Sequence, residues 1–203
     1  MRRRVARVNT VLYGAGMSER LSADDWVKAG LKALAEDGFT ALKADPLAKA
    51  LGVSRGSFYW HFADIGAFHK AVLDRWQEVM AEAVIRELDR SAPGGERLRS
   101  LLRRAFTAKG ALEMAALEMA VRAWAVSDAT ARSTVAAVDR RRLAYLEDLL
   151  AAAGIGAASA VARAHIFYWA YLGFALSRPK LARERLETLL EELAALAEAD
   201  RLG

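Results

Sequence analysis

The residues best suited to bind another molecule lie in one short segment about a quarter of the way along the chain. Arg55 can donate two hydrogen bonds to guanine O6 and N7, and Ser57 can reach a base or a phosphate. Tyr59 and His61 can donate to phosphate oxygens, while Gly56 allows a close approach of the backbone to DNA. The segment contains no acidic residue, so its chemistry favours contact with a nucleic acid.

Two short helices are predicted around this segment. Asp45 is a suitable N-cap for the first helix, with Pro46 at its first helical position. Gly52 follows the last apolar residue of that helix and can end it in a left-handed conformation. Ser54 can cap the second helix, whose inner face carries Phe58. Two short helices joined at a sharp glycine turn predict a helix-turn-helix.

A simple corner between two helices with an arbitrary polar face would give the same helix–glycine–helix pattern. The run from Leu51 to Phe62, however, resembles the recognition-helix signature of the TetR family of bacterial transcriptional regulators. The similarity extends upstream through Trp26 to Gly38 and downstream to the helix that begins near Asp64. It covers about 60 residues and rests on the helix-turn-helix context and an aromatic cluster.

The resemblance implies an all-α protein of about nine helices with two domains. A three-helix DNA-binding domain would occupy residues 22–69, and a helical bundle that dimerises and binds a small molecule would occupy residues 70–203. The residues expected to contact DNA are Lys43, Ser54, Arg55, Gly56, Ser57, Tyr59, Trp60 and His61.

One position departs from the family. Most members carry a lysine or arginine where this chain has Ile65, and that cation grips a phosphate. Ile65 cannot do so, which predicts weaker DNA binding. Two interpretations stay open: the phosphate contact is lost, or Ile65 packs against Phe62 or Phe68 in a local core that replaced it.

The basic excess of the chain lies at its N-terminus. The net charge is +5, and residues 1–20 alone contribute five arginines against one glutamate. Three interpretations of an arm over residues 1–21 stay open: it enters the minor groove, it is a plain tail, or Met17 is the true start. No apolar stretch of sufficient length follows the arginines, so a signal peptide is not indicated.

Helical patterns continue through the rest of the chain. Ser22 and Asp25 predict a capping box for the first helix, and Asp64 caps a long helix that extends to about residue 89. Asp128 caps a later helix that ends at Gly154. The last two helices are predicted near residues 157–177 and from Pro179 onward.

The last two helices carry the signals of an interface. Residues 164–176 are uncharged and mostly apolar, too short to cross a membrane and too apolar for a solvated helix. The final helix has a heptad-like seam. Helices from two chains are therefore predicted to form a four-helix homodimer interface. The seam comprises Leu186, Leu189, Leu193 and Leu196.

A ligand site is predicted between the helices of the second domain. Aromatic and methionine side chains would form its walls, with tyrosine hydroxyls, a glutamate and a histidine to orient a small molecule. A filled core would give the same pattern. The candidate residues are Phe106, Met114, Glu118, Trp124, His165, Tyr168, Trp169 and Tyr171.

Several other classes of protein are not indicated. The chain has no cysteine and only three dispersed histidines, so no metal site is predicted. It has no phosphate-binding loop, zinc-protease motif or catalytic triad pattern, so neither an enzyme nor a cofactor is predicted. We expect a cytoplasmic, homodimeric transcriptional regulator that a small molecule releases from a palindromic DNA operator. The resemblance implies a repressor, since members of this family are most often repressors. The alternative is a dimeric helical binding or interaction protein with weakened DNA affinity.

Overall fold

The computed structural model describes residues 21–91, 96–107, 110–177 and 179–196. These residues form helices and no strand, which confirms the predicted all-α fold. None of their helices combines the length and apolarity needed to span a bilayer. In chain order they are α1 (Ala23–Asp37), α2 (Ala44–Leu51), α3 (Arg55–Tyr59), α4 (Ile65–Gln77), α5 (Ala83–Ser91), α6 (Arg97–Thr107), α7 (Ala111–Ser127), α8 (Ala129–Ala152), α9 (Ala157–Ser177) and α10 (Arg183–Leu196).

The first helix begins and the helix-turn-helix bends where the sequence predicts. The Asp25 backbone N–H donates to Ser22 Oγ, and the Ser22 N–H donates to Asp25 Oδ2 at 2.8 Å. Gly52 ends α2 with φ of 69°, a left-handed conformation that strains a residue with a Cβ. The turn between α2 and α3 therefore depends on this glycine.

The predicted start of α2 is wrong by two residues. Lys43 is its N-cap, and Pro46 is the third residue of the helix. A proline is tolerated there because the first few backbone N–H groups of a helix have no carbonyl partner within it. Asp45 lies in the first turn instead, where a carboxylate is favoured by the helix dipole.

An aromatic cluster holds α1, α3 and α4 together. The fully buried ring of Phe58 lies 5.3 Å from both the Trp26 ring and the Phe68 ring, in edge-to-face geometry. Gly30 permits this packing, because a Cβ at that position would lie 2.7 Å from Phe68 Cζ. The recognition helix is thus fixed from beneath by apolar contacts while its outer face stays available.

One continuous helix connects the DNA-binding helices to the rest of the molecule. Asp64 caps it as predicted, accepting a 2.7 Å hydrogen bond from the Ala67 N–H. The helix runs through α4 and α5 with a π-helical segment, Glu78–Glu82, in its middle. Periodicity did not predict this segment. A π-helical turn changes the backbone hydrogen-bond register, and such turns are frequent at functional sites.

Helices α6–α10 form the rest of the molecule. Asp128 caps α8 as predicted, accepting from the Ala131 N–H at 2.7 Å, and Gly154 follows its end with φ of 89°. Pro179 does not open the last helix, which begins at Arg183. Residues 179–182 form a non-helical link in which the Leu181 N–H donates to the Pro179 carbonyl.

Two hydrophobic cores fill the structure. The first contains Trp26 and Phe58 of the helix-turn-helix together with Val121 and Trp124 of α7. It therefore crosses the predicted domain boundary at residues 69 and 70, and α1 packs directly on α7. The second core lies among α5, α6, α8, α9 and α10.

Candidate functional site

The predicted DNA-binding residues lie on the open side of α2 and α3. Lys43 is exposed at the N-cap of α2. Ser54 is exposed and makes no capping hydrogen bond, so its hydroxyl is available. Trp60 is 88% exposed, an unusual state for the largest apolar side chain. The remaining members Arg55, Gly56, Tyr59 and His61 are exposed and Ser57 is half-buried.

Arg55 is held in place by its neighbours. Its Nη2 donates to the Tyr59 hydroxyl at 3.1 Å, and its Nε lies 3.5 Å from an Asp45 carboxylate oxygen. The Tyr59 hydrogen bond and the Asp45 charge raise the pKa of Arg55. These exposed contacts orient the guanidinium at little cost, so it can exchange them for a base edge or a phosphate.

Ile65 stands beside this surface as the first residue of α4. It is 39% exposed, so it is not part of the aromatic core beneath the recognition helix. The position that carries a cation in related proteins therefore offers an apolar group to solvent here.

A buried polar network lies between the two hydrophobic cores. Its centre is Glu118 of α7, a fully buried carboxylate. Glu118 accepts from Arg122 Nε at 2.7 Å and from Arg142 Nη2 at 3.0 Å. Arg122 also pairs with Asp139 of α8. Two guanidinium groups thus face two carboxylates, which is the balance that a buried ionic cluster requires.

The network extends to a third helix through Tyr168 of α9. Its hydroxyl donates to Asp139 Oδ1 at 2.6 Å and accepts from Arg122 and Arg142. Burial raises the pKa of Tyr168, so this hydroxyl keeps its proton at neutral pH. The network therefore ties α7, α8 and α9 to one another.

Arg142 also connects the network to the helix that leads to the DNA-binding domain. Its Nε and Nη2 donate to the backbone carbonyl of Met80, at 3.2 and 3.1 Å. Met80 lies inside the π-helical segment, and a side chain from α8 satisfies its carbonyl. Burial acts to lower the pKa of Arg142, but Glu118, Tyr171 and Tyr168 outweigh it and the pKa is raised.

A cavity of about 430 Å³ borders this network, a volume typical of small-molecule sites. Met80 and Arg142 form part of its wall, so the cavity touches the π-helical segment directly. The other walls are mostly apolar side chains of α5, α6, α7 and α9. Among them are Val84, Ile85, Leu101, Ala105, Phe106, Met114, Phe167, Tyr168 and Tyr171.

Four of the eight predicted ligand-binding residues meet at this cavity: Phe106, Met114, Tyr168 and Tyr171. Glu118 lies behind the wall and binds Arg142. The other three do not line this cavity. Trp124 stacks on Phe39 at 4.6 Å in the first core, and His165 and Trp169 pair on the outer face of α9. One face of an apolar helix can pack into a core, another can line a cavity and a third can meet a partner. Residue type alone does not show which of these three surroundings a side chain has.

Sequence reasoning missed Arg142, Arg122 and Asp139. A signal was present for Arg142, which lies on the buried stripe of α8 with Val135, Val138, Tyr145 and Leu149. A charged residue on an otherwise apolar stripe is rarely buried unless it is paired. Its partners come from other helices, so spacing along the chain could not identify them.

Comparisons with known proteins agree with this architecture. Residues 27–72 match the model of the bacterial regulatory proteins, tetR family. A search of curated protein sequences finds no match. Similar solved structures include three with TM-scores of 0.69–0.73.

The first is a transcriptional regulator from Rhodococcus sp. Rha1, with a TM-score of 0.73 and 20% identity over 87% of this chain and 96% of that one. The second is reduced NemR from E. coli, with a TM-score of 0.70 and 20% identity over 86% of this chain and 96% of that one. The third is a putative transcriptional regulator from Saccharomonospora viridis in complex with choline, with a TM-score of 0.69 and 14% identity over 84% of this chain and 93% of that one. The protein has the fold of a transcriptional regulator with a helix-turn-helix. That helix-turn-helix is a TetR-family domain, which confirms the family that the sequence resembles.

Removing the central carboxylate tests the network. In Glu118→Ala two partly buried guanidinium groups lose a partner, and we expect the free energy of unfolding to fall by about 3–5 kcal/mol. Glu113→Ala on the same helix removes an exposed carboxylate and should change stability by less than about 0.5 kcal/mol. Chemical denaturation measures both, and equal effects would contradict the role assigned to Glu118.

Proposed function

We propose that the protein is a homodimeric, ligand-responsive transcriptional regulator, and in its simplest form a repressor of the DNA it binds. The observation that carries this proposal is the outer face of α3, which presents donors and no carboxylate above a rigid aromatic core. We place the protein in the cytoplasm, where it can reach chromosomal DNA. The regulators of similar fold support this function over an enzymatic one.

Each recognition helix would enter one major groove of a palindromic operator. Arg55 would read a guanine, while Tyr59, His61 and Lys43 would contact the phosphate backbone. Trp60 offers an apolar surface to a thymine methyl group or to the sugar edge. The Arg55 contact would specify the DNA sequence, whereas the phosphate contacts would fix the position of the protein along the DNA.

The outer face of α9 supports the homodimer. Ile166, Trp169 and Leu176 are 47%, 64% and 72% exposed, and with Ala162 and Gly173 they repeat at heptad spacing. An exposed stripe of this kind marks an interaction surface. The seam predicted for the last helix needs correction, because Leu186 and Leu193 pack into the second core, whereas Leu189 and Leu196 face outward.

Ligand response would act through the Arg142–Met80 contact. A molecule in the cavity touches both residues, so its binding free energy depends on how the π-helical segment is arranged. That segment lies in the helix that leads to α4 and the DNA-binding core. A ligand with unequal affinity for two arrangements of this helix would shift the position of the recognition helices.

Ile65 favours a second candidate, a dimeric helical binding protein with weakened DNA affinity. The exposed isoleucine supplies no phosphate contact at the start of α4. The intact donor face of α3 supports the regulator instead.

DNA binding by Arg55 separates the two functions. We expect the full-length protein to protect a palindrome in the DNA upstream of its own gene, at a stated salt concentration. Arg55→Ala should cost about 1–3 kcal/mol per half-site and relax the preference at one base pair. Protection by neither protein, or identical base preferences in both, would contradict the regulator.

Ile65→Lys tests whether this position faces the DNA backbone. Each subunit would gain about one phosphate contact, so the slope of log K against log salt should steepen by roughly 1.8 per dimer. Ile65→Gln is the uncharged control and should leave the slope unchanged. An unaltered slope in the lysine variant would place residue 65 away from the phosphates.

Charge in the α9 stripe tests the dimer. Ile166→Glu with Trp169→Glu would bury four unpaired carboxylates across the interface, so sedimentation should show monomers and operator binding should weaken. Thr130→Glu with Ser133→Glu adds the same charge to an exposed part of α8 as a control. A stable, folded dimer in the first variant would remove α9 from the interface.

A further inference from the structure

The polar groups of the cavity wall define what kind of molecule fits. Among the described residues that line it are three tyrosines, Tyr145, Tyr168 and Tyr171, and two arginines, Arg104 and Arg142. No carboxylate is among them. Any recognition of a ligand by hydrogen bonding must come from these few groups and the backbone.

Two of the three tyrosine hydroxyls are already committed. Tyr145 donates to Asp89 Oδ1 at 2.9 Å, and Tyr168 donates to Asp139 Oδ1. Tyr171 is different: its hydroxyl interacts with the Arg142 guanidinium, which can only donate, and among the described residues its own proton is given to no acceptor. Burial raises the pKa of Tyr171 to about 12, so the hydroxyl is a donor at neutral pH. Tyr171 is therefore the one lining tyrosine that can donate to a ligand without breaking an existing bond.

The charges of the wall disfavour ionic ligands on energetic grounds. Arg142 is paired with Glu118, so a carboxylate beside it would meet a cation that is already neutralised. Arg104 Nη1 lies 2.7 Å from Glu87 Oε2 in an exposed pair, whose attraction for a ligand is screened by solvent. A cation would find no carboxylate among the described residues that line the cavity. It would also compete with the Arg142 guanidinium for the faces of two tyrosine rings. Arg142 Cζ lies 5.4 Å from the Tyr171 ring centroid and 5.9 Å from the Tyr168 ring centroid. Both kinds of charge would lose hydration without compensation.

We propose that the cavity takes an uncharged, mainly apolar molecule with one hydrogen-bond-accepting oxygen, such as a ketone or an ester, and that Tyr171 donates to that oxygen. This assignment rests on the ligand-responsive role proposed above and adds the chemical class of ligand. It differs from the choline found in the similar Saccharomonospora regulator, which is a cation.

Four probes of equal chain length test the assignment: 2-octanone, 1-octene, octanoate and octyltrimethylammonium. Calorimetric titration of the full-length protein should show that 2-octanone binds more tightly than the other three. Tighter or equal binding of octanoate or octyltrimethylammonium would overturn the uncharged class. Binding of 2-octanone and 1-octene with equal affinity would overturn the acceptor oxygen while leaving the cavity as a ligand site.

Two variants then test the role of Tyr171. Tyr171→Phe should weaken 2-octanone about threefold to tenfold, the loss expected for a neutral hydrogen bond, and leave 1-octene unchanged. Unchanged 1-octene binding also shows that the variant cavity is intact. Tyr145 lines the same cavity, but its hydroxyl is bound to Asp89. Tyr145→Phe should therefore leave the affinity for both probes unchanged.

Equal weakening of both probes by Tyr171→Phe would assign Tyr171 a packing role and overturn the hydrogen bond. Binding of none of the four probes to the wild-type protein would overturn the ligand site itself. Operator protection would stand in that case, because it depends on α3 and not on the cavity.

Discussion

The structure depends on the pairing of Glu118 with Arg142. A fully buried carboxylate is tolerated only with a cation and enough donors around it, and Arg142 and Arg122 supply both. The pair is flanked by residues of both hydrophobic cores, with Leu117 and Val138 from the first and Tyr145 from the second. A shift of one core against the other would therefore change the geometry of the pair. Because Arg142 also binds the Met80 carbonyl, the same constraint fixes the helix that leads to α4. A single ion pair thus connects the wall of the cavity to the support of the recognition helix.

The DNA-binding helices themselves are held by apolar contacts. Phe58 and Trp26 fix α3 from beneath, and the same core continues to Trp124 in α7. The helix-turn-helix is therefore packed against the second half of the chain as well as joined to it through α4. A change in the arrangement of α7, where Glu118 lies, would reach α1 by direct packing. The buried network and the aromatic core together provide two physical routes between the cavity and α3.

Local signals made the fold predictable. Capping residues such as Ser22, Asp64 and Asp128, and the left-handed Gly52, mark helix ends within a few neighbouring residues, and all four occur as predicted. The site was only partly predictable. Tyr168 and Tyr171 were identified as candidate ligand-binding residues because they are aromatic. Trp124 and Trp169 are aromatic too, but Trp124 lies in a core and Trp169 on the outer face of α9. Arg142 acquires its role from Glu118 and Met80, which lie 24 and 62 residues away in the sequence. The apolar stripe of α8 signals that Arg142 is unusual, but its long-range partners have no local signature.

The operator affinity of a Glu118→Met, Arg142→Leu double variant tests the central claim most directly. Replacing a buried ion pair with apolar residues of similar volume is often neutral for stability, and Arg122 and Asp139 would still balance each other. Neither substituted residue lies on the recognition surface. If the pair holds the DNA-binding arrangement, affinity should fall by about 5–150-fold, the usual range of allosteric coupling, while the salt slope stays the same. A folded double variant that binds the operator with wild-type affinity would contradict the account.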